Sequence, residues 1–448
     1  MIQLPQSRES DFESIEKAVK DCTSLADLSS YYAKLIDNYE RLNAKYFFSQ
    51  SFSKDYVYEQ LKNFASIRSR ELFAIPFGVK DVFNTKVLPT TMGSEIWAGF
   101  KAGNNARIVD EIVDRGGVVF SKTTTAEFAV HYIPAGKTLN PHDAGHITGT
   151  SSAGSAVAVA CGALPIALGT QTAGSIIRPA SFCGVFGFKP SFGAYDRTGV
   201  LKTADTLDTI GLLGSSIYGL RKTFGATYQK DWNYSNSKRY SEYKEKYAQK
   251  KTLRVGIITD QFKGYSKYDS EIRADFDQLI ESVCGQDVTF EKVEKIEFIN
   301  EIHPLHATIY NKSLSYYFQE EYSHGTAMSP LMSEMIDIGN KISARDFSDA
   351  LSKQPMYRSK FDPVFEKYDF LVTSSTATPA PKLGEREVDD TCLIWSFFGY
   401  PVLGVPVFKS KEQNLPYGLQ IVAPKFCDFP LLSFGQLIID RLRSKSTV

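Results

Sequence analysis

The chain has no surplus of either charge, since 51 Lys+Arg face 51 Asp+Glu in 448 residues. A global pull towards a polyanion is therefore excluded as an organising feature, and no nucleic-acid partner is expected. Long apolar runs are missing too. The longest are too short and too glycine-interrupted to span a bilayer, and the opening MIQLPQSRESDF has neither a cationic leader nor an apolar h-region. These absences predict a cytoplasmic protein with no membrane partner. The six cysteines, Cys22, Cys161, Cys183, Cys284, Cys392 and Cys427, form no CxxC pair and no metal-ligand spacing, and read as reduced core residues. The six histidines are no better ordered: His142 and His146 straddle the turn-rich NPHDAGH, and His303 and His306 flank Pro304. No metal and no cofactor is expected.

From Gly149 to Pro190 the deficit is of charge itself, with only Arg178 and Lys189 charged among small, hydroxylated and apolar residues. Two turns punctuate this stretch, GTSSAG (Gly149 to Gly154) and TQTAGS (Thr170 to Ser175). Between them Ser155 to Ala163 reads as a small-residue helix and Leu164 to Leu168 as a buried strand. Gly-rich turns free backbone N–H groups and present hydroxyls, which an anion site or an acyl-transfer site requires. Close packing of small residues accounts for the composition equally well. A phosphate-binding P-loop is excluded because no Lys precedes Ser155, and a GxSxG nucleophile elbow because Ser151 and Ser152 each miss one glycine. A hydroxyl site without its usual base remains.

Elsewhere the pattern is that of an α/β chain with a large core, 43% of its residues being hydrophobic. Leu25, Leu28, Tyr32, Leu35, Ile36, Tyr39 and Leu42 follow a 3.6-residue period, with Ser24 and Asp27 placed as a capping box at the start. Strands are expected at Leu72 to Pro76, Val118 to Phe120, Leu253 to Thr259, Phe370 to Thr373 and Val402 to Val407. A helix should start at Ser270 and close at Gly285. Lys80 in FGVKD directly follows an apolar run and is drawn inward, where a lysine needs a reason to be; pairing with the adjacent Asp81 is one. Tyr228 to Lys251 is dense in Lys, Tyr, Ser and Glu and reads as an exposed excursion or solvated helix, its interspersed acids counting against a nucleic-acid patch.

GTSSAGSAVAVACGALPIALGTQTAGSIIRPASFCGVFGFKPSFG resembles the signature stretch of the amidase signature family, serine hydrolases of carboxylic amides with a Ser–cis-Ser–Lys triad. The resemblance continues in AIPFGVKDVFNT, SKTTTAEFA, NPHD, TLDTIG, GYPVLGVPV and LPYGLQIVAP. It implies one α/β domain over residues 1–448, a central mixed sheet flanked by helices, with the signature core at about 70–215 and a variable region at about 228–368. By motif position it makes Ser175 the nucleophile, Ser151 the bridging serine after a cis peptide bond, Lys80 the base and Ser152 a supporting serine. The backbone N–H groups of Thr172, Ala173, Gly174 and Ser175 become the oxyanion hole. Lysine serves as a base only when neutral, and burial favours that form.

Two departures accompany the match. Gln171 stands where the family often has an acid, and Arg178 lies three residues after the nucleophile instead of two; GGSSGG has become GTSSAG. These spellings, with KDV in place of KDN, favour a free-standing amidase over the glutamine-hydrolysing A subunit of a tRNA-dependent amidotransferase. A non-catalytic binding protein on the same fold is the other alternative. An SxxK pair, Ser51 and Lys54, lacks the SDN element of penicillin-binding enzymes. In the variable region His303, His306, Tyr310, Tyr316 and Tyr317 suit an acyl pocket, or equally an aromatic core face. A small-molecule amide is the expected substrate, and a homodimer is left open.

Overall fold

The structure is a computed structural model that describes residues 2–4, 8–130, 137–228, 236–259, 261–262, 270–385 and 391–446. Eleven strands form one mixed sheet: β1 (Ser49–Phe52), β2 (Pro76–Lys80), β3 (Val118–Thr123), β4 (Ile166–Gln171), β5 (Phe186–Lys189), β6 (Thr209–Gly214), β7 (Leu253–Ile257), β8 (Val288–Lys292), β9 (Phe370–Ser374), β10 (Val402–Lys409) and β11 (Pro416–Val422). Their spatial order is β1-β3-β2-β4-β6-β5-β10-β11-β9-β7-β8. Parallel pairs lie towards the two ends, β3-β2-β4 and β9-β7-β8, and antiparallel pairs join them through the middle. β2 to β6 and β9 to β11 are buried almost throughout, as expected of strands covered on both faces.

Helices cover the sheet, and the amphipathic ones follow their apolar period. The first long one spans Leu25–Tyr46 and buries Leu28, Tyr32, Ile36, Tyr39 and Leu42. Ser24 and Asp27 close the capping box that the sequence spells. The Ala153–Ala160 helix is different, because all of its residues are buried and so all are small or β-branched. Gly154 shows why: a Cβ there would stand 2.4 Å from the Thr124 backbone nitrogen and 2.6 Å from the Phe48 carbonyl oxygen.

Some boundaries differ from expectation. Leu72 to Ile75 forms buried turns, and the strand runs instead over Pro76–Lys80, with Lys80 as its last residue. The hydrophobicity of 72–75 is satisfied by packing under the Leu25–Tyr46 helix, where Tyr32 Oη donates to the Ala74 carbonyl at 2.7 Å. In the Lys/Tyr-rich stretch, 229–235 lies outside the described residues, while Asn236–Ala248 is a helix. All six cysteines are free thiols, but Cys284 is exposed, since the helix that precedes it ends at Val283 and releases it to solvent. No helix among the described residues is long and apolar enough to cross a membrane.

Candidate active site

The end of β2, the turn before the Ala153–Ala160 helix and the end of β4 meet around one buried amine. Lys80, fully buried, donates from Nζ to Ser151 Oγ at 2.7 Å and to Thr170 Oγ1 at 2.8 Å. Parallel pairing of β2 with β4, Val79 beside Leu168, brings Lys80, the last residue of β2, close to the end of β4 where Thr170 lies. Its partners are hydroxyls and not a carboxylate. Burial therefore pushes the lysine well below its ordinary range, with the more distant Asp208 carboxylate pulling the other way. The adjacent Asp81 does not pair with it: Asp81 Oδ1 lies 2.9 Å from Lys122 Nζ, and Oδ2 accepts from the Thr91 backbone N–H at 3.0 Å.

The Thr150–Ser151 peptide is cis, the geometry implied by the resemblance. Ser151 and Ser152 are both fully buried. Ser152 Oγ donates to the Thr170 carbonyl at 3.2 Å and so ties the serine turn to β4. The two glycines of this turn that persist are the two that the backbone requires. Gly149 has φ +76°, and Gly154 has no room for a Cβ, whereas Thr150 and Ala153 are outside the left-handed region.

Ser175 is partly exposed at the end of the second turn, ahead of the Ile177–Cys183 helix. Among the described residues no hydrogen bond joins it to Ser151, and the backbone N–H groups of Thr172, Ala173, Gly174 and Ser175 meet no acceptor. The loop is nevertheless held from outside at nearly every position. Gln171 Oε1 accepts from the N–H groups of Ile176 (2.9 Å) and Ile177 (3.0 Å), and its Nε2 donates to Ser396 Oγ at 3.0 Å. Ser396 Oγ in turn donates to the Ala173 carbonyl at 2.7 Å. A carboxylate in place of Gln171 could take the two N–H groups but could not donate to Ser396. Thr172 Oγ1 donates to Asp208 Oδ1 at 2.7 Å, and Asp208 Oδ2 accepts from the N–H groups of Thr203 and Ala204 at 2.8 and 3.0 Å. Such anchoring fixes donors in place before any charge develops near them. Arg178 folds back over the loop, its Nη2 2.8 Å from where a Cβ on Gly174 would stand.

The variable-region candidates separate in space. His306, buried on the Ile302–Tyr317 helix, donates from Nε2 to the Thr172 carbonyl at 3.0 Å, because a carbonyl can only accept. Burial pushes its pKa down to about 4, so the ring is neutral. Tyr310 is buried beside it, the two ring centroids 5.8 Å apart. Tyr317 donates its hydroxyl to Asp205, on the segment that carries Asp208. His303 has both ring nitrogens buried without a partner among the described residues. Tyr316 departs from the expectation of a pocket residue: it is 71% exposed on the outer face of the helix, one residue round from the buried Ser315. Sequence reasoning missed Thr170, Asp208 and Ser396 as parts of the site, and marked Gln171 only as a departure from the family spelling. Thr170 and Asp208 lie within the signature motifs, but nothing in their spacing marks them, and Ser396 comes from a distant helix.

Comparison with known proteins gives the family and the fold. The family model described as Amidase matches residues 28–432. The A subunit of the glutamyl-tRNA(Gln) amidotransferase of Koribacter versatilis is 28% identical, over 94% of this chain and 95% of that one. Among solved structures, the peptide amidase of Stenotrophomonas maltophilia superposes with a TM-score of 0.81 at 21% identity, covering 97% of each chain. The corresponding A subunit of the Thermotoga maritima glutamyl-tRNA(Gln) amidotransferase does so with a TM-score of 0.75 at 22% identity, covering 96% of this chain and 94% of that one. At those identities the two superpositions establish a shared fold. With a family model spanning nearly all of the sequence, and with the buried lysine and serines of its signature assembled at one place, the chain belongs to the amidase family.

Proposed function

We propose that this protein hydrolyses a carboxylic amide through an acyl-enzyme on Ser175, activated by Ser151 and Lys80. The observation that carries the reading is the buried contact of Lys80 Nζ with Ser151 Oγ at 2.7 Å, with no carboxylate in contact with the lysine among the described residues. Neutral Lys80 takes the Ser151 proton while Ser151 takes that of Ser175, whose Oγ attacks the amide carbonyl. The oxygen of the tetrahedral intermediate gains negative charge and is received by the N–H groups of Thr172 to Ser175. On collapse the relay runs in reverse and protonates the departing amine or ammonia. Water, deprotonated along the same route, then releases the carboxylic acid and restores Ser175. His306, Asp208, Gln171 and Ser396 act as positioning residues behind the oxyanion donors.

Ser175→Ala removes the covalent route and is expected to cut hydrolysis by several orders of magnitude while the fold is retained. Fluorophosphonate labelling, present in the parent and absent in this variant, checks the assignment; turnover within about tenfold of the parent overturns it. A parent chain that never labels points to a non-catalytic binding protein instead.

A second reading rests on the curated relatives, which are named as A subunits of amidotransferases and match over most of their length. On that reading glutamine is the amide and the chain works beside B and C subunits. Co-purification from native source separates the two. Isolation as a complex with glutaminase activity favours the amidotransferase, and a free chain active on other amides favours the stand-alone enzyme.

A further inference from the structure

Away from Lys80, Ser151 and Ser175 a cavity of about 620 Å³ lies between the Asn236–Ala248 helix, Arg254 of β7, the segment from Arg358 to Asp369 and the turn Pro424 to Phe426. Seven of its lining side chains are Lys or Arg, and three are Asp or Glu. In a chain whose charges cancel overall, that local excess is a property of the fold and not of composition.

Two of the cations are neutralised, Lys250 by Asp369 and Lys367 by Glu294. The other five have no carboxylate at ion-pair distance among the described residues. Four of them rest instead on aromatic faces: Arg239 over Phe426 (5.4 Å), Lys425 over the same ring (5.1 Å), Lys246 over Tyr243 (5.9 Å) and Arg254 over Tyr368 (5.8 Å). The fifth, Arg358, donates from Nε to the Phe398 carbonyl at 2.6 Å. A ring face or a neutral carbonyl holds a cation in place without cancelling its charge. Asp362, an acid of the same wall, is engaged by the Tyr400 hydroxyl at 2.6 Å. The crowding registers on Lys425, which burial, Arg358 and Arg239 push down to about 8 against the opposing pull of Asp428 and Asp362.

Positioned cations that outnumber the carboxylates lining the same concave space offer a place for an anion. Three of them are arginines, whose planar fork meets phosphate oxygens two at a time. The cavity is also of the size that encloses a small metabolite, and the rings of Tyr243, Tyr247 and Phe365 add apolar wall that a bare inorganic ion would leave unused. We propose that this cavity binds a phosphate-bearing metabolite of mononucleotide size, at a site separate from the amide-cleaving centre. The Lys/Tyr-rich helix thereby has a purpose: its Arg239 and Lys246 supply charge, and its Tyr243 and Tyr247 supply wall.

The test is calorimetric titration of the full chain at low salt with 5′-AMP, with inorganic pyrophosphate and with adenosine. AMP and pyrophosphate are expected to bind, more weakly as salt rises, and adenosine is not. AMP binding more tightly than pyrophosphate identifies a nucleoside phosphate; equal binding identifies the phosphates as the recognised chemistry. The Arg239→Gln/Lys425→Gln double variant should weaken binding by about tenfold or more. Lys246→Gln, at an exposed position that tolerates change, should weaken it several-fold and stands in if the double variant does not fold. Arg221→Gln, exposed and outside the cavity, should leave it unchanged. Absence of phosphate binding at millimolar concentration, adenosine binding as well as AMP, or full affinity in the two cavity variants each overturns the proposal.

Discussion

Lys80 and Lys122 sit on neighbouring parallel strands, both without solvent exposure, and they have opposite fates. In the β2-β3 register Val79 faces Lys122 and Lys80 faces Thr123, so the two lysines leave the sheet on opposite faces. Lys122 meets Asp81 at 2.9 Å, Thr90 Oγ1 at 2.7 Å and the Phe83 carbonyl at 2.8 Å. Burial lowers its pKa, and the Asp81 carboxylate works against that shift. Lys80 meets two hydroxyls and no contacting carboxylate among the described residues, and burial pushes its pKa well below the ordinary range. On the proposed mechanism, a buried lysine serves as a structural cation or as a base according to whether an acid or a hydroxyl meets its nitrogen. Burial alone does not decide.

Lys80→Met breaks the comparison on the chemical side. It should leave a folded protein whose kcat/KM is down by about a thousandfold or more, the upper range for a lost general base. Lys80→Arg carries a permanent charge and should be equally inactive at every pH. In the parent the acylation rate should climb with pH until the lowered lysine pKa is passed, because only the neutral amine accepts a proton. Recovery of Lys80→Arg in alkali contradicts a base at this position.

On the structural side, Lys122→Met strands a buried Asp81 carboxylate and should cost about 3–5 kcal/mol in urea unfolding. Adding Asp81→Asn should return part of that loss. If Lys122→Met is as stable as the parent and yet inactive, the distinction between the two lysines fails.

The smallest effect sharpens the comparison with a third buried base. His306 is neutral and structural, its folded pKa of about 4 lying below the 6.5 of an unperturbed histidine. Between those values the unfolded chain binds a proton that the native state refuses. Stability from this group is therefore complete above about pH 6.5 and falls as the pH drops towards 4, by about 3 kcal/mol at most. Comparing urea midpoints at neutral and acid pH, His306→Gln should retain a donor for the Thr172 carbonyl and show a shallower acid loss. An unchanged slope removes His306 as the source.

Much of the site was legible because its demands are local. Gly149 and Gly154 survive in GTSSAG because one backbone angle and one close approach allow nothing larger, and the run from Ser155 to Ala160 is small because that helix is buried all round. The Leu25–Tyr46 helix was readable from its period and its cap. Less was legible where apolar residues carried no period, as at Leu72 to Ile75, or where helical phase set exposure, as at Tyr316 and Tyr317.

By itself, the amino-acid sequence determined the α/β class, the order of the signature segments, the buried small-residue helix and the identity of the hydroxyls and the lysine on offer, since these follow from residue type and short-range spacing. Only the tertiary structure decided that Asp81 belongs to Lys122, that Gln171 reaches Ser396 across 225 positions of the chain, and that His306 supports the Thr172 carbonyl from 134 positions away. It also gathered cations from four separate segments around one cavity in a chain of zero net charge. The reason is physical. Whether a buried polar group is charged, neutral or satisfied depends on which atoms lie within about 3 Å of it, and the packing of the sheet and its helices sets those neighbours.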